Sequence, residues 1–234
     1  MIKLFPISIL CLIMSACVSE PEDDVFVSPD LEDSMEEPLD IPEVPEEPVE
    51  LVFNTIEDYA QLKTKEEIIT AFGKENCKSG TSWYAEGTVQ LKHTVVTNPK
   101  NKHIVKYVWK EENPKKLGSI EINYFDWNED YEVKGTQKVL SACGFYTGMS
   151  INELRKWNGA DFTFSGFGWD YEGGVFVTPK SRLSTCPVSI KLGLKLDGNM
   201  DVADGFYGDT ELNTSDPLVK TAPIIVEKIS YYFE

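Results

Sequence analysis

A segment of this chain occurs twice, and the duplication constrains the fold more than any other feature. Residues 64–89 align without a gap to residues 150–175. The identical pairs are Glu67 and Glu153, Gly73 and Gly159, Ser79 and Ser165, Gly80 and Gly166, Trp83 and Trp169, Glu86 and Glu172, Gly87 and Gly173, and Val89 and Val175. Shared composition does not explain matched Trp and Gly positions, so the pattern predicts a duplicated supersecondary unit.

Each copy begins with a helix signature. Ser150 and Glu153 have the spacing of a capping box, in which a hydroxyl and a carboxylate satisfy amide donors at a helix start. Gly159 then stands where a left-handed C-terminal cap favours a residue without a β-carbon. The corresponding residues of the first copy are Thr64, Glu67 and Gly73.

After each glycine the hydrophobic pattern changes to that of strands. Strand candidates in both copies occupy residues 103–111, 119–125, 161–167, 189–197 and 226–233, and further strands start near Val89 and Val175. The repeating unit is therefore α-β-β-β-β, and the second copy carries an insertion over 198–218. Helices combined with antiparallel sheets predict an α+β protein.

The expected domain organisation follows from these patterns and from the composition of the N-terminal region. We expect a signal peptide over 1–16, an acidic tether over 17–53, a first repeat over 54–127, a linker over 128–144 and a second repeat over 145–234.

The first residues have the layout of a bacterial export signal: the cation Lys3, an apolar run and then small residues. Met14-Ser-Ala-Cys17 resembles a lipobox, although Met14 stands where Leu is usual. This resemblance implies cleavage before Cys17 and attachment of a diacylglycerol to its thiol, so that the acyl chains anchor the protein to a membrane. A plain secreted protein is the alternative.

The region from Val18 to Val52 contains fourteen acidic residues, six prolines and no Lys or Arg. Such a composition predicts an extended, disordered tether. Acidic residues close behind the lipidated Cys are similar to an export cue of surface-exposed Bacteroidetes lipoproteins, which implies a lipid-anchored outer-membrane protein with either cell-surface or periplasmic exposure; a solvated spacer is the other interpretation. The tether accounts for most of the net charge of −17. No basic region remains to bind nucleic acid.

Three cysteines remain after the signal region: Cys77, Cys143 and Cys186. An oxidising compartment allows one disulfide among them. Cys143 lies just before the second copy and Cys186 within it, so they are the preferred pair, although spacing leaves the connectivity open.

The run Gly148-Met-Ser-Ile-Asn-Glu-Leu154, together with Asn158-Gly159 and residues 164–174, resembles a group of uncharacterised Bacteroidetes lipoproteins. That group implies no known activity. The tandem layout is also similar to the β-lactamase inhibitor protein, and the helix start to small outer-membrane assembly lipoproteins. These are analogies of architecture, and fold does not imply function.

The string Phe164-Ser-Gly-Phe-Gly-Trp-Asp-Tyr-Glu-Gly-Gly174 is the most distinctive in the chain. One interpretation makes it a recognition patch, since aromatic residues are efficient binding anchors; its candidate residues are Phe167, Trp169, Asp170, Tyr171 and Glu172. The preferred interpretation is structural. Because Trp83 occupies the matching position in the first copy, we expect both tryptophans to fill the core.

Other chemical sites have weaker support. Asp197, Asn199 and Asp201 offer alternate oxygen ligands for calcium, but the EF-hand glycine and glutamate are missing, so a polar loop without a cofactor is favoured. The two histidines, His93 and His103, form no metal or catalytic motif.

The leading hypothesis is a non-catalytic binding or inhibitor-like module for a protein or envelope partner. An assembly lipoprotein of the outer membrane is a second hypothesis. A hydrolase that uses residues near Asp170 and Glu172 is a third.

Overall fold

The computed structural model describes residues 51–128, 130, 132–169, 171–195 and 204–234. The predicted signal peptide, the lipidation site Cys17 and most of the tether lie outside the described residues. So do Asp170 and the calcium candidates Asp197, Asn199 and Asp201.

The described residues form helices and antiparallel strands, and the predicted α+β class is confirmed. The helices are α1 (Ile56–Tyr59), α2 (Lys65–Phe72), α3 (Ile151–Asn158) and α4 (Pro217–Thr221). The strands are β1 (Cys77–Tyr84), β2 (Val89–Thr97), β3 (Ile104–Trp109), β4 (Leu117–Asn123), β5 (Phe125–Trp127), β6 (Val133–Thr136), β7 (Thr163–Ser165), β8 (Val175–Phe176), β9 (Val188–Leu194), β10 (Glu211–Asn213) and β11 (Ile224–Tyr232). None of the helices within the described ranges has the length and apolar character needed to cross a bilayer.

Both predicted capping boxes are confirmed. The Thr64 hydroxyl accepts from the Glu67 amide, and the Glu67 carboxylate accepts from the Thr64 amide; Ser150 and Glu153 make the same exchange at α3. Gly159 adopts the expected left-handed cap, with φ 74° and ψ 2°. The expectation for Gly73 is wrong in detail, because its ψ of 143° lies outside the left-handed helical region although its φ is also positive.

Both repeats contribute to a six-stranded sheet with the order β1-β2-β3-β4-β11-β9. The first repeat supplies β1 to β4, and the second supplies β9 and β11. The other strands of the second repeat form a separate three-stranded sheet, in which β7 pairs with β8 on one side and with β10 from the insertion on the other. The residues between the repeats are not a plain linker, since β6 pairs with β5 in a hairpin.

One hydrophobic core lies between the helices and one face of the six-stranded sheet. Side chains from both repeats are fully buried in it, including Tyr107, Ile120, Leu192 and Ile229. Cys143 and Cys186, the preferred pair, form a disulfide with a Cα–Cα distance of 6.1 Å. Cys77 carries a free thiol.

Candidate binding site

The face of the sheet opposite the core carries charged side chains. Successive strand residues point to opposite faces. Because Tyr107 and Ile120 point into the core, their neighbours Lys106 and Glu121 point to the other face. The register places Lys106 on β3 directly opposite Glu121 on β4. Lys228 lies on β11, the strand on the other side of β4, where it is opposite Asn123.

Glu121 is the centre of a hydrogen-bond network on this face. Its carboxylate accepts from the Tyr84 hydroxyl at 3.2 Å and lies 3.8 Å from the Lys106 ammonium. Burial and the adjacent charge of Glu121 raise the pKa of Tyr84, so its hydroxyl stays protonated as the donor. Lys106 also donates to Ser82 Oγ at 3.1 Å. Glu121 thus links Tyr84 at the end of β1 to Lys106 on β3.

His93 joins the same network through its imidazole ring. Its Nδ1 lies 3.1 Å from Ser82 Oγ. Burial, and then the charge of Lys106, lower the pKa of His93 and keep the ring neutral near pH 7. His103 lies on the core side of the molecule, where its Nδ1 is 3.1 Å from the Tyr59 hydroxyl. Within the described ranges, no group of three His, Cys, Asp or Glu side chains is placed to hold a metal ion.

The described residues 166–169 and 171–174 of the aromatic string form a loop, the 166–174 loop, that crosses the edge of the sheet at β9. The Leu192 amide donates to the Gly173 carbonyl at 2.8 Å, and Gly174 forms a bridge with Lys191. Gly173 has a φ of +64°, and a β-carbon there would lie 1.9 Å from the Leu192 carbonyl oxygen. Only glycine permits this approach.

Glu172 fastens the loop to the charged face. Its carboxylate accepts from the Lys191 ammonium at 2.6 Å and from the Gly168 amide at 3.0 Å. Burial acts to raise the pKa of Glu172, but the hydrogen bond and charge of Lys191 and the Gly168 amide outweigh it, so the pKa is lowered. Glu172 is therefore ionised at neutral pH.

Trp83 and Trp169 are exposed, so the expectation that they fill the core is wrong. Their exposed fractions are 63% and 64%. Both help to line a groove of about 940 Å³ on the charged face, which runs from the β1–β2 hairpin to the 166–174 loop. Because successive side chains of a strand point to opposite faces, Tyr84 points to the charged face and Trp83 points to the opposite face. Trp83 therefore lines the groove only at the edge of the sheet.

A second cavity, of about 580 Å³, lies on another side of Trp169. The aromatic residues Trp169, Tyr171 and Phe176 line it together with the carboxylates of Glu172, Asp209 and Glu211. Tyr171 is 83% exposed. No Lys or Arg is present among the described residues that line this cavity, whereas Lys106, Lys191 and Lys228 all line the groove.

Phe167 was expected among the binding residues, and the structure corrects this. Only 5% of Phe167 is exposed, and its ring packs 6.1 Å from that of Phe164. Its amide and carbonyl hold the segment 206–208 beside the loop. Phe167 is therefore a buried residue that packs under the loop.

The structure brings Trp169, Tyr171 and Glu172 together, as the recognition interpretation requires. Sequence reasoning missed the charged groove, to which Lys106, Glu121 and Lys228 contribute. A signal was present for Lys106 and Glu121, because each is a charged residue between apolar neighbours in a predicted strand. Alternation of this kind is typical of a sheet with one polar face.

The fold and the site together define an α+β protein with a charged sheet groove and an adjoining aromatic cavity. A comparison of the chain with protein-family models, with curated proteins and with solved structures gives no match.

Proposed function

We propose that this chain is a lipid-anchored envelope protein that binds another protein through the groove and the aromatic cavity, without catalysing a reaction. Trp169 carries the proposal. It is a large side chain exposed between two cavities, on a loop that Gly173 and Glu172 fasten to the sheet.

A fixed aromatic residue in this setting is typical of a binding hot spot. Interface hot spots are enriched in Trp, Tyr and Arg and lie in pockets with a polar rim. Trp169 and Tyr171 supply the aromatic surface, and the charged groove supplies the rim. Because the loop is held by hydrogen bonds before binding, less conformational entropy is lost when a partner docks.

The two cavities differ in charge, and this indicates the chemistry of the partner. The aromatic cavity combines exposed rings with the carboxylates of Asp209 and Glu211, which favours an ammonium or guanidinium group. The groove contains three lysines and three glutamates, and Lys106 and Lys191 are paired with two of those glutamates. It therefore favours polar groups of either charge beside that cation. We infer that the partner presents a Lys or Arg side chain with polar residues around it.

The hydrolase hypothesis receives less support from the same geometry. Glu172 is paired with Lys191 at 2.6 Å, and its pKa is lowered. A general acid needs a raised pKa to hold its proton at neutral pH. Glu172 is better suited to fixing the loop than to donating a proton.

Substitution of Trp169 tests the binding proposal. Crosslinking in intact envelopes, followed by recovery of the full chain, should yield a specific protein with the native chain and lose it with Trp169→Ala. Leu218→Ala is the matched control, because Leu218 is a similarly exposed apolar side chain on α4, away from both cavities. Recovery of the same protein with Trp169→Ala, or of no specific protein with the native chain, would count against the proposal.

The membrane anchor is tested separately at Cys17. Metabolic labelling with a fatty-acid analogue should mark the native chain and leave Cys17→Ser unlabelled, and the variant should leave the membrane fraction. Labelling that persists in Cys17→Ser would contradict the anchor. Protease treatment of whole cells then distinguishes the sites of action: cleavage supports a surface binding module, and protection favours an assembly role inside the outer membrane.

A further inference from the structure

The two edge strands of the six-stranded sheet, β9 and β1, differ in whether other residues pair with their outer backbone groups. At β9, Gly173 and Gly174 pair with the edge backbone. At β1, none of the described residues outside β2 forms a backbone hydrogen bond with residues 78–84. This strand contains no Pro and one Lys, so it lacks most of the devices that protect an edge from pairing.

One hydrogen bond between β2 and the segment before β3 determines which backbone groups of β1 point away from β2. The Asn98 amide donates to the His103 carbonyl at 2.8 Å, so even-numbered residues of β2 bond to β3. In an antiparallel sheet the alternate residues then bond to the other neighbour, β1. Their partners are Lys78, Gly80, Ser82 and Tyr84. It follows that Ser79, Thr81 and Trp83 present their amides and carbonyls to the open edge.

We propose that this edge pairs with β1 of a second copy of the chain, antiparallel about a two-fold axis at Thr81. In that register Thr81 faces Thr81 of the second copy, and Ser79 faces its Trp83. All three outward-facing residues then exchange hydrogen bonds with their counterparts. A two-fold contact needs a surface complementary to itself, and this register provides it.

The side chains are complementary in the same register. On the groove face Lys78 lies opposite Tyr84 of the second copy. On the other face the Lys65 ammonium, which donates to Ser79 Oγ at 3.2 Å, lies beside Trp83 of the second copy. Each lysine thus meets an aromatic ring, which is a favourable arrangement, and no like charges face each other across the strands. The pairing also covers Trp83, which is 63% exposed in the single chain.

Cysteine substitution tests this register directly. In the full chain with Cys77→Ser, Thr81→Cys should form an intermolecular disulfide, because directly opposed residues with Cα atoms about 5.5 Å apart lie within disulfide range. Ser79→Cys is the matched control, since the two positions 79 would be about 13 Å apart at roughly 3.3 Å per residue. A non-reducing gel should show a dimer for Thr81→Cys alone. Absence of that dimer, or equal dimer for both variants, overturns the proposal.

A proline variant gives a second, independent readout. Thr81→Pro removes an amide that points outward, so it should abolish the dimer in sedimentation while the circular dichroism spectrum is retained. Thr81→Val keeps the amide and should remain dimeric. The proposal is overturned if the native chain sediments as a monomer or if Thr81→Pro remains a dimer. If Thr81→Pro unfolds, the comparison of Thr81→Cys with Ser79→Cys tests the proposal instead. Binding through Trp169 is measured separately, so either proposal can fail alone.

Discussion

Gly173 illustrates how a single residue positions the site. It lies two residues before Val175 in the duplicated segment, and its counterpart Gly87 also has a positive φ. The space around the two glycines differs, since a β-carbon at Gly87 would meet nothing within 4 Å whereas one at Gly173 would meet the backbone of Leu192. The glycine at this position of the repeat therefore forms part of a hairpin turn in the first copy, whereas in the second it allows the binding loop to pack against β9.

Gly173→Ala should destabilise the protein by more than about 1 kcal/mol, because it adds both backbone strain and a steric clash at β9. It should also weaken partner binding, since the loop that carries Trp169 must move. Gly135→Ala is the control, as Gly135 has no positive φ and no atom within 4 Å of a built β-carbon. Urea denaturation of both variants checks this, and equal stability would contradict the docking role of Gly173.

Glu227 should give the stability a dependence on pH. Burial raises the pKa of Glu227, and Glu172 raises it further, against the opposing charges of Lys191 and Lys228. A carboxyl whose folded pKa exceeds its unfolded pKa stabilises the fold at low pH, and this contribution is lost as the pH rises through the folded value. Glu227→Gln has no carboxyl to ionise, so it does not lose this stability as the pH rises. Above the folded pKa of Glu227, its free energy of unfolding should therefore be higher relative to the native chain than it is at low pH.

Urea denaturation of both proteins across a pH series measures the effect of Glu227. Glu172→Gln is a useful contrast, because the pKa of Glu172 is lowered and its contribution is instead lost as the pH falls. Curves for Glu227→Gln and the native chain that stay parallel at all pH values would contradict the prediction.

At the scale of elements, local signals predicted the helices well and the fate of the tryptophans poorly. A capping box involves residues three apart, so Ser150 and Glu153 indicate it in the sequence. The exposure of Trp169 depends on the path of the chain after β7. There the Gly166 amide donates to the carbonyl of Thr210 in the insertion at 2.8 Å, and no local pattern indicates a contact at that separation.

Removal of one cap should cost a predictable amount of stability. Thr64→Ala deletes the side-chain acceptor at the start of α2 and should lower the free energy of unfolding by about 1 kcal/mol. Thr70→Ala is matched in residue type and helix, but its hydroxyl bonds within the helix to the Glu66 carbonyl, so its effect should be near zero. Thermal unfolding compares the two, and equal losses would show that the cap contributes nothing specific.

At the scale of the whole molecule, the duplicated pattern predicted the α+β class and not the division of strands between sheets. Each copy alone has the pattern of a complete α-β-β-β-β unit. The register that joins β4 to β11, with Ile122 opposite Ile229, links residues far apart in sequence and depends on which edges remain available. Short strands such as β8 also carry too few residues for alternation to indicate their sheet.

The repeats should therefore fold only together. Ile120 and Ile122 on β4 are fully buried, and β4 lies inside the sheet, next to β11 of the second repeat. A fragment of residues 51–124 would expose these side chains, at about 1.5–3 kcal/mol each, together with one edge of β4. We expect this fragment to lack cooperative thermal unfolding by circular dichroism, and to regain it when mixed with residues 125–234. If either fragment alone unfolds cooperatively, the repeats are independent domains, and the continuous sheet is not what stabilises them.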